Sequence, residues 1–345
     1  MVQSLSSSQF DAAIAAAESD AATPEEKAEM LMEIAMGMQS RPKSPDQLHQ
    51  AVALYDRALG TCPATAPLLQ ARIRARQGTA LQALPDGGIN ALRKAQVCYE
   101  QALPVLREKA KPEESAEAEM NLGLVTQSMA GSGAARIHDA IGCYHRALRV
   151  FEREAWPQEF SILHNNLAIA YLSIPLSDER GKMREALAVQ SFEEVLKVIN
   201  LVDHPTEYAM IQNNLGNALQ YATSGHPLEN NLRALVAYDE ALKVRNVRDT
   251  PLEFANTISN RANLLRNLPE DPDQPELGRR GSLLRARAAY DEARQIFDSV
   301  GQNGNAAVVA DALAEIDQEL AELSSAGQVP RDAFSDARQS NSTRH

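Results

Sequence analysis

Four asparagines, Asn121, Asn166, Asn214 and Asn260, each stand nine residues after a proline, at successive intervals of 45, 48 and 46 residues. A primary amide carries two donors and an acceptor, matching one peptide unit whatever side chain that unit bears. A regular row of amides therefore suits one of two tasks: gripping the main chain of an extended polypeptide, or bridging each helix to the next so that their rotation is fixed. Asparagine inside a helix costs about 0.5 kcal/mol relative to Ala, because its amide competes for backbone hydrogen bonds. One of the two tasks must offset that cost. Helical spacing enlarges the candidate surface with Asn165, Asn213, Asn217 and Gln220, and then with Asn256, Asn263, Asn267 and Arg266. In the two preceding units the same slot holds Glu33 and Arg76. An ion pair between them is expected; the alternative is a partner carboxylate clamped by Arg76, beside Arg72 and Arg74. Four amides at about 0.5–1.5 kcal/mol net each bind only weakly, so side-chain pockets have to supply the remainder.

Other chemistries find less support. His49, His138, His145, His164, His204 and His226 fall in different units or loops, and none sits in a His-Glu-x-x-His arrangement. There is no Gly-rich phosphate loop and no nucleophile elbow. His164, beside the asparagine pair, reads as a structural or solvated side chain, with a groove-facing role as the alternative. Cys62, Cys98 and Cys143 show no metal-ligand spacing and are odd in number, which points to small apolar packing. The expectation is a protein with no catalytic residues, no metal and no cofactor. A net charge of −12 argues against a phosphate backbone as ligand, so nucleic acid is not expected. With 44% hydrophobic and 23% charged residues the chain has the makeup of a folded, soluble protein. Its opening stretch MVQSLSSSQFDAAIAAAESD carries acids and no long apolar run, so no membrane insertion and a cytoplasmic location are expected.

The elements that would position the amides repeat with the prolines. Pro24, Pro67, Pro112, Pro157, Pro205 and Pro251 are spaced by 43, 45, 45, 48 and 46 residues. Five of them read Pro-x-Glu, which sets proline at the first helical position and an acid in the first turn, where the helix dipole favours it. Thr23 with Glu26, and Thr250 with Glu253, have the pattern of capping boxes. Eleven residues after each proline stands a small residue, Ala35, Gly78, Gly123, Ala168, Gly216 or Ala262, as the close approach of a second helix demands. That second helix is marked by Tyr55, Tyr99, Tyr144, Phe192, Tyr238 or Tyr290, each with Ala four residues before it. The i, i+3, i+4 spacing makes one apolar stripe in which the aromatic fills the gap the alanines leave, so these rings are read as core.

The motifs NLGLVTQSM, NLAIAYLSI and NLGNALQYA, followed by A-x-x-x-Y-x-x-A-L, resemble the tetratricopeptide repeat over roughly residues 24 to 300. The units exceed the usual length, and their long internal loops, SMAGSGAARIHD and ATSGHPLENN, are similar to those of kinesin-light-chain repeats and of the bacterial repeats found beside caspase-like CHAT domains. No His/Cys protease domain follows here. The resemblance implies an all-α fold: a right-handed α-solenoid of about six helical hairpins at 23–300, a capping helix at 301–324 reading AAVVADALAEIDQELAEL, and a groove lined by the first helices. Asp311, Glu315, Asp317 and Glu319 are expected on that helix's wet side. Residues 1–22, with a capping helix from Phe10 to Glu18, and the aperiodic stretch 325–345 are expected as terminal segments. The implied function is a non-catalytic scaffold whose asparagine-lined groove holds an extended segment of a partner protein; the alternative is a dedicated maturation chaperone for a client enzyme subunit, and an enzyme or small-molecule sensor is a remoter third. The chaperone carboxylate clamp is not matched, since Asn121 and Asn166 lack the accompanying lysines and arginines.

Overall fold

The computed structural model describes residues 14–15, 22–40, 42–174, 180–223, 225–270 and 272–326. Most of the two terminal segments lies outside these residues, although Ile14 packs against the first core cluster. Among the described residues the chain forms thirteen α-helices and one short 3₁₀ turn, with no β-strand. It divides into two compact units, Met1–Val198 and Ile199–His345.

The first unit holds four helical hairpins: α1 (Pro24–Ser40) with α2 (Pro45–Thr61), α3 (Pro67–Gln82) with α4 (Gly88–Lys109), α5 (Pro112–Gly131) with α6 (Ile137–Ala147), and α7 (Pro157–Leu172) with α8 (Arg180–Leu196). The second unit holds two more, α9 (Pro205–Gln220) with α10 (Pro227–Leu242) and α11 (Pro251–Asn267) with α12 (Gly278–Ser299), followed by α13 (Asn303–Ala326). Within each unit the following helix of one hairpin packs on the leading helix of the next, and successive leading helices also touch. This is the packing of a helical solenoid. α13 packs on α12.

All six marker prolines open a helix. At the first helical position their missing N–H costs nothing and their fixed φ is already helical. Thr23 completes its capping box: the Glu26 carboxylate accepts the Thr23 N–H at 2.8 Å and the Thr23 hydroxyl accepts the Glu26 N–H at 3.3 Å. Thr250 does not. Its hydroxyl accepts the Asn246 N–H at 3.0 Å, because the Asn246 side chain has folded the preceding loop by accepting the Arg248 and Asp249 amides. Asn200 makes the same Asx turn one hairpin earlier, taking the Val202 and Asp203 amides.

The core follows from the small-and-aromatic pairing. Tyr55, Tyr99, Tyr144 and Tyr238 are wholly buried, and Phe192 and Tyr290 nearly so. A Cβ added at Gly78, Gly123 or Gly216 would lie 2.8, 2.5 or 2.6 Å from the ring of Tyr99, Tyr144 or Tyr238. Glycine is required there because the ring occupies the space of its side chain. Each buried ring contributes about 1.5–3 kcal/mol of transfer free energy, provided its hydroxyl finds a partner. Tyr55 donates to Gln39 at 2.9 Å, Tyr144 to Gln127 at 2.7 Å, and Tyr99 shares a bond with Thr79 at 2.9 Å. The hydroxyl of Tyr238 sits between Asn217 Oδ1 at 2.7 Å and Gln220 Oε1 at 2.8 Å. In the one hairpin whose aromatic is Phe192, the corresponding leading-helix positions are Ile169 and Leu172. Where the hydroxyl is missing, so are its partners.

Candidate functional site

In the first unit the leading helices α1, α3, α5 and α7 carry the ladder slot. Arg76 does not pair with Glu33; its guanidinium meets Glu117 of α5 at 2.9 Å. Arg72, one turn earlier, grips Glu114 with two bonds of 2.7 and 2.9 Å. The α3 arginines therefore reach forward to the next hairpin, whose first turns offer Glu114 and Glu117 at the matching height. The Arg72 hydrogen bond holds the Glu114 carboxyl below its ordinary range. Glu33 stays exposed, with no ion pair among the described residues.

Asn121 on α5 is half-buried, makes no hydrogen bond among the described residues, and borders a cavity of about 220 Å³ whose walls include Met32, Met36, Arg76 and Ala118. The neighbouring hairpin shows the feature more sharply. On α7, Asn166 is only 9% exposed and has no hydrogen-bond partner among the described residues. Beside it, the Asn165 Oδ1 is fully buried and equally unpartnered. Around these amides Ile162, Ile169 and Leu172 are 48%, 37% and 43% exposed, so the face combines uncovered aliphatic surface with amide groups that no described residue satisfies. His164 packs its ring on Phe160 at a centroid distance of 4.3 Å; burial lowers its pKa, and its Nδ1 has no partner. His145 bonds the Tyr171 hydroxyl at 3.0 Å and is likewise shifted down by burial.

In the second unit most of the candidate residues have internal work. Asn260 donates to Asn213 at 3.3 Å, bridging α11 to α9. Asn217 and Gln220 hold the Tyr238 hydroxyl. Asn263 donates to the Tyr221 hydroxyl at 3.0 Å, and Asn267 to the Asn263 carbonyl at 2.8 Å. Arg266 reaches α13, with Glu315 at 2.5 Å and Glu319 at 2.7 Å, while Arg279 holds the other Glu319 oxygen at 2.7 Å. Asp317 pairs with Arg287 at 2.6 Å. Three of the four acids expected on the wet side of α13 thus tie it to α11 and α12, because the helix turns that edge toward their arginines. Only Asn214 and the exposed Asn256 make no hydrogen bond among the described residues.

Several residues that organise this layer were not evident from the sequence. Glu119, 3% exposed, joins Arg107 of α4 to Arg146 of α6, whose Nε lies 3.0 Å away. Its equivalents one period away are Arg74 and His164, so no repeat signal marks it. The Asx-turn asparagines, by contrast, do leave a signal, in the repeated N-x-x-D-x-P of NLVDHP and NVRDTP. The cysteines pack as small groups: burial pushes the Cys98 and Cys143 thiols up to about 11, where they stay protonated. Among the described residues no three His, Cys, Asp or Glu side chains converge to hold a metal ion, and no helix is long and apolar enough to cross a membrane.

No protein-family model matches the sequence, and no curated protein matches it. Among solved structures, the chain is similar to a crystal structure of BtubC (BKLC) from P. vanneervenii, at 20% sequence identity and a TM-score of 0.48, covering 69% of this chain and 87% of that one.

Proposed function

We propose that this protein is a non-catalytic, tetratricopeptide-like binding scaffold whose leading helices in the first unit hold an extended segment of another polypeptide, with Asn121, Asn165 and Asn166 meeting its main chain. One observation carries the reading: on α7 the buried Asn165 Oδ1 has no hydrogen-bond partner, and Asn166 beside it bonds to none of the described residues, on a face where three aliphatic side chains stay uncovered. A buried amide oxygen left unpaired costs about 1–3 kcal/mol. A chain keeps such groups when a ligand supplies the missing partners, and a peptide unit offers both the N–H and the carbonyl that an asparagine needs.

The test compares wild-type protein with the Asn165→Ala/Asn166→Ala variant, immobilised and used to capture partners that are then quantified by mass spectrometry. The expected result is one or more proteins enriched by wild type and lost with the variant, while the variant melts at the same temperature or slightly higher. A single stoichiometric client would favour a dedicated chaperone over a general scaffold. A variant that melts several degrees lower, with an unchanged capture profile, would instead assign the two amides to the fold.

A further inference from the structure

The cavity beside Asn121 narrows the chemistry of the segment this layer would hold. Its walls come from three successive leading helices, Met32 and Met36 from α1, Ala75 from α3 and Ala118 from α5, together with Leu106 of α4. At about 220 Å³ it has room for one large apolar side chain. Arg72 and Arg76 stand on its rim, but their charges are already neutralised by Glu114 and Glu117. The remaining charge beside it is acidic. Glu25 and Glu29 lie on the same face of α1 as Met32 and Met36, at i, i+4, i+7 and i+11, with Glu33 at the edge of that face. All three glutamates are exposed and without an ion pair among the described residues, and Glu29 is close enough to Arg72 to be felt by it. The chain as a whole, at −12, adds attraction of the same sign.

We infer that this cavity takes one large apolar side chain of the partner segment, and that lysine or arginine residues flanking that side chain are held by the α1 carboxylates. This rests on the leading-helix layer being a polypeptide-binding face, and it adds the sign of the ligand. An acidic segment would meet three free carboxylates and two arginines that must first leave their own partners. A basic one meets the carboxylates directly.

The experiment uses the full chain and short fluorescein-labelled peptides with Leu or Ala at the centre and Lys or Glu on both flanks, read by fluorescence anisotropy. The Lys-flanked Leu peptide is expected to bind about tenfold or more tighter than either the Glu-flanked Leu peptide or the Lys-flanked Ala peptide. In Glu29→Lys/Glu33→Lys protein the flank preference should invert, and in Met36→Glu protein the preference for Leu over Ala should vanish; all these sites are surface positions whose substitution leaves the core intact. Peptide binding that disappears with Asn165→Ala/Asn166→Ala yet ignores flank charge would overturn this inference and leave the scaffold reading standing. The same holds if no peptide of the set binds while a partner is still captured through those asparagines. Absence of both peptide binding and asparagine-dependent capture would overturn the two together.

Discussion

The two units join their leading helices by different bonds. In the first, guanidinium–carboxylate pairs tie α3 to α5, through Arg72 with Glu114 and Arg76 with Glu117, and the amides of Asn121 and Asn166 bond to nothing within the described chain. In the second, amides make the inter-helix connection, Asn260 to Asn213, and arginine is moved to the end of the array to fasten α13. The lesson concerns interchangeable staples. Once a charged pair sets the rotation between neighbouring hairpins, an amide is no longer needed for that purpose.

The comparison holds only if both units share one frame, and that is where the largest effect lies. Gly123→Leu in the first unit and Gly216→Leu in the second each force a side chain into a tyrosine ring that a Cβ alone would approach to 2.5 or 2.6 Å. Each is expected to lower stability by about 2 kcal/mol or more through overpacking, measured by denaturant unfolding. If one variant unfolds like wild type, the two units do not share the same helix phase.

A second test asks whether the hairpin bearing the uncovered amides is also distinct in its core. Phe192→Tyr adds a hydroxyl where the leading helix offers Ile169 and Leu172 instead of a polar side chain. The expected cost is about 1–3 kcal/mol for the unpaired group. Leu172→Gln restores the residue found at the equivalent positions Gln39, Gln127 and Gln220, and should recover most of the loss in the double variant. Equal stability of Phe192→Tyr and wild type would mean that the hydroxyl reaches solvent or another acceptor.

These two tests mark how far the sequence could be read. The helices, their opening prolines and the small residues that let the second helix approach were legible because each depends on a local rule repeated six times. The slot itself was legible as a position, but not as a set of bonds. Whether Arg76 turns back to Glu33 or forward to Glu117 depends on where the next helix stands in space, and no spacing within α3 encodes that. The same is true of Asn165, which shares its sequence context with Asn213. Asn213 accepts a bond from Asn260, whereas the oxygen of Asn165 is left alone.

That pair supplies the sharpest contrast between the units. Asn213→Ala is expected to cost about 0.5–1.5 kcal/mol, since it strands the Asn260 amide against α9. Asn165→Ala removes an amide whose oxygen is unsatisfied and replaces it with the best helix former, so it should leave stability unchanged or raise it by up to about 0.5 kcal/mol. Matched denaturation curves decide the matter: equal losses for both would mean that the two slots do the same work and that the distinction between units is not energetic.

The smallest effect comes from the charged staples of the first unit. The hydrogen bonds from Arg72 hold Glu114 below its ordinary value of 4.5. A carboxylate with a depressed folded-state pKa contributes stability that is fully present above the unfolded value, and that is lost as pH falls through the folded one. Both side chains are partly exposed, at 43% and 29%, so water and salt screen the pair and its worth is under about 1 kcal/mol. Arg72→Gln should therefore lower stability slightly at neutral pH and make no difference once pH is well below 4.5. Wild type and variant curves of stability against pH would converge on the acid side. If Arg72→Gln instead destabilised equally at both ends, the contribution of Arg72 would come from packing its stem against α5, and the first unit would be held by contact area instead of charge.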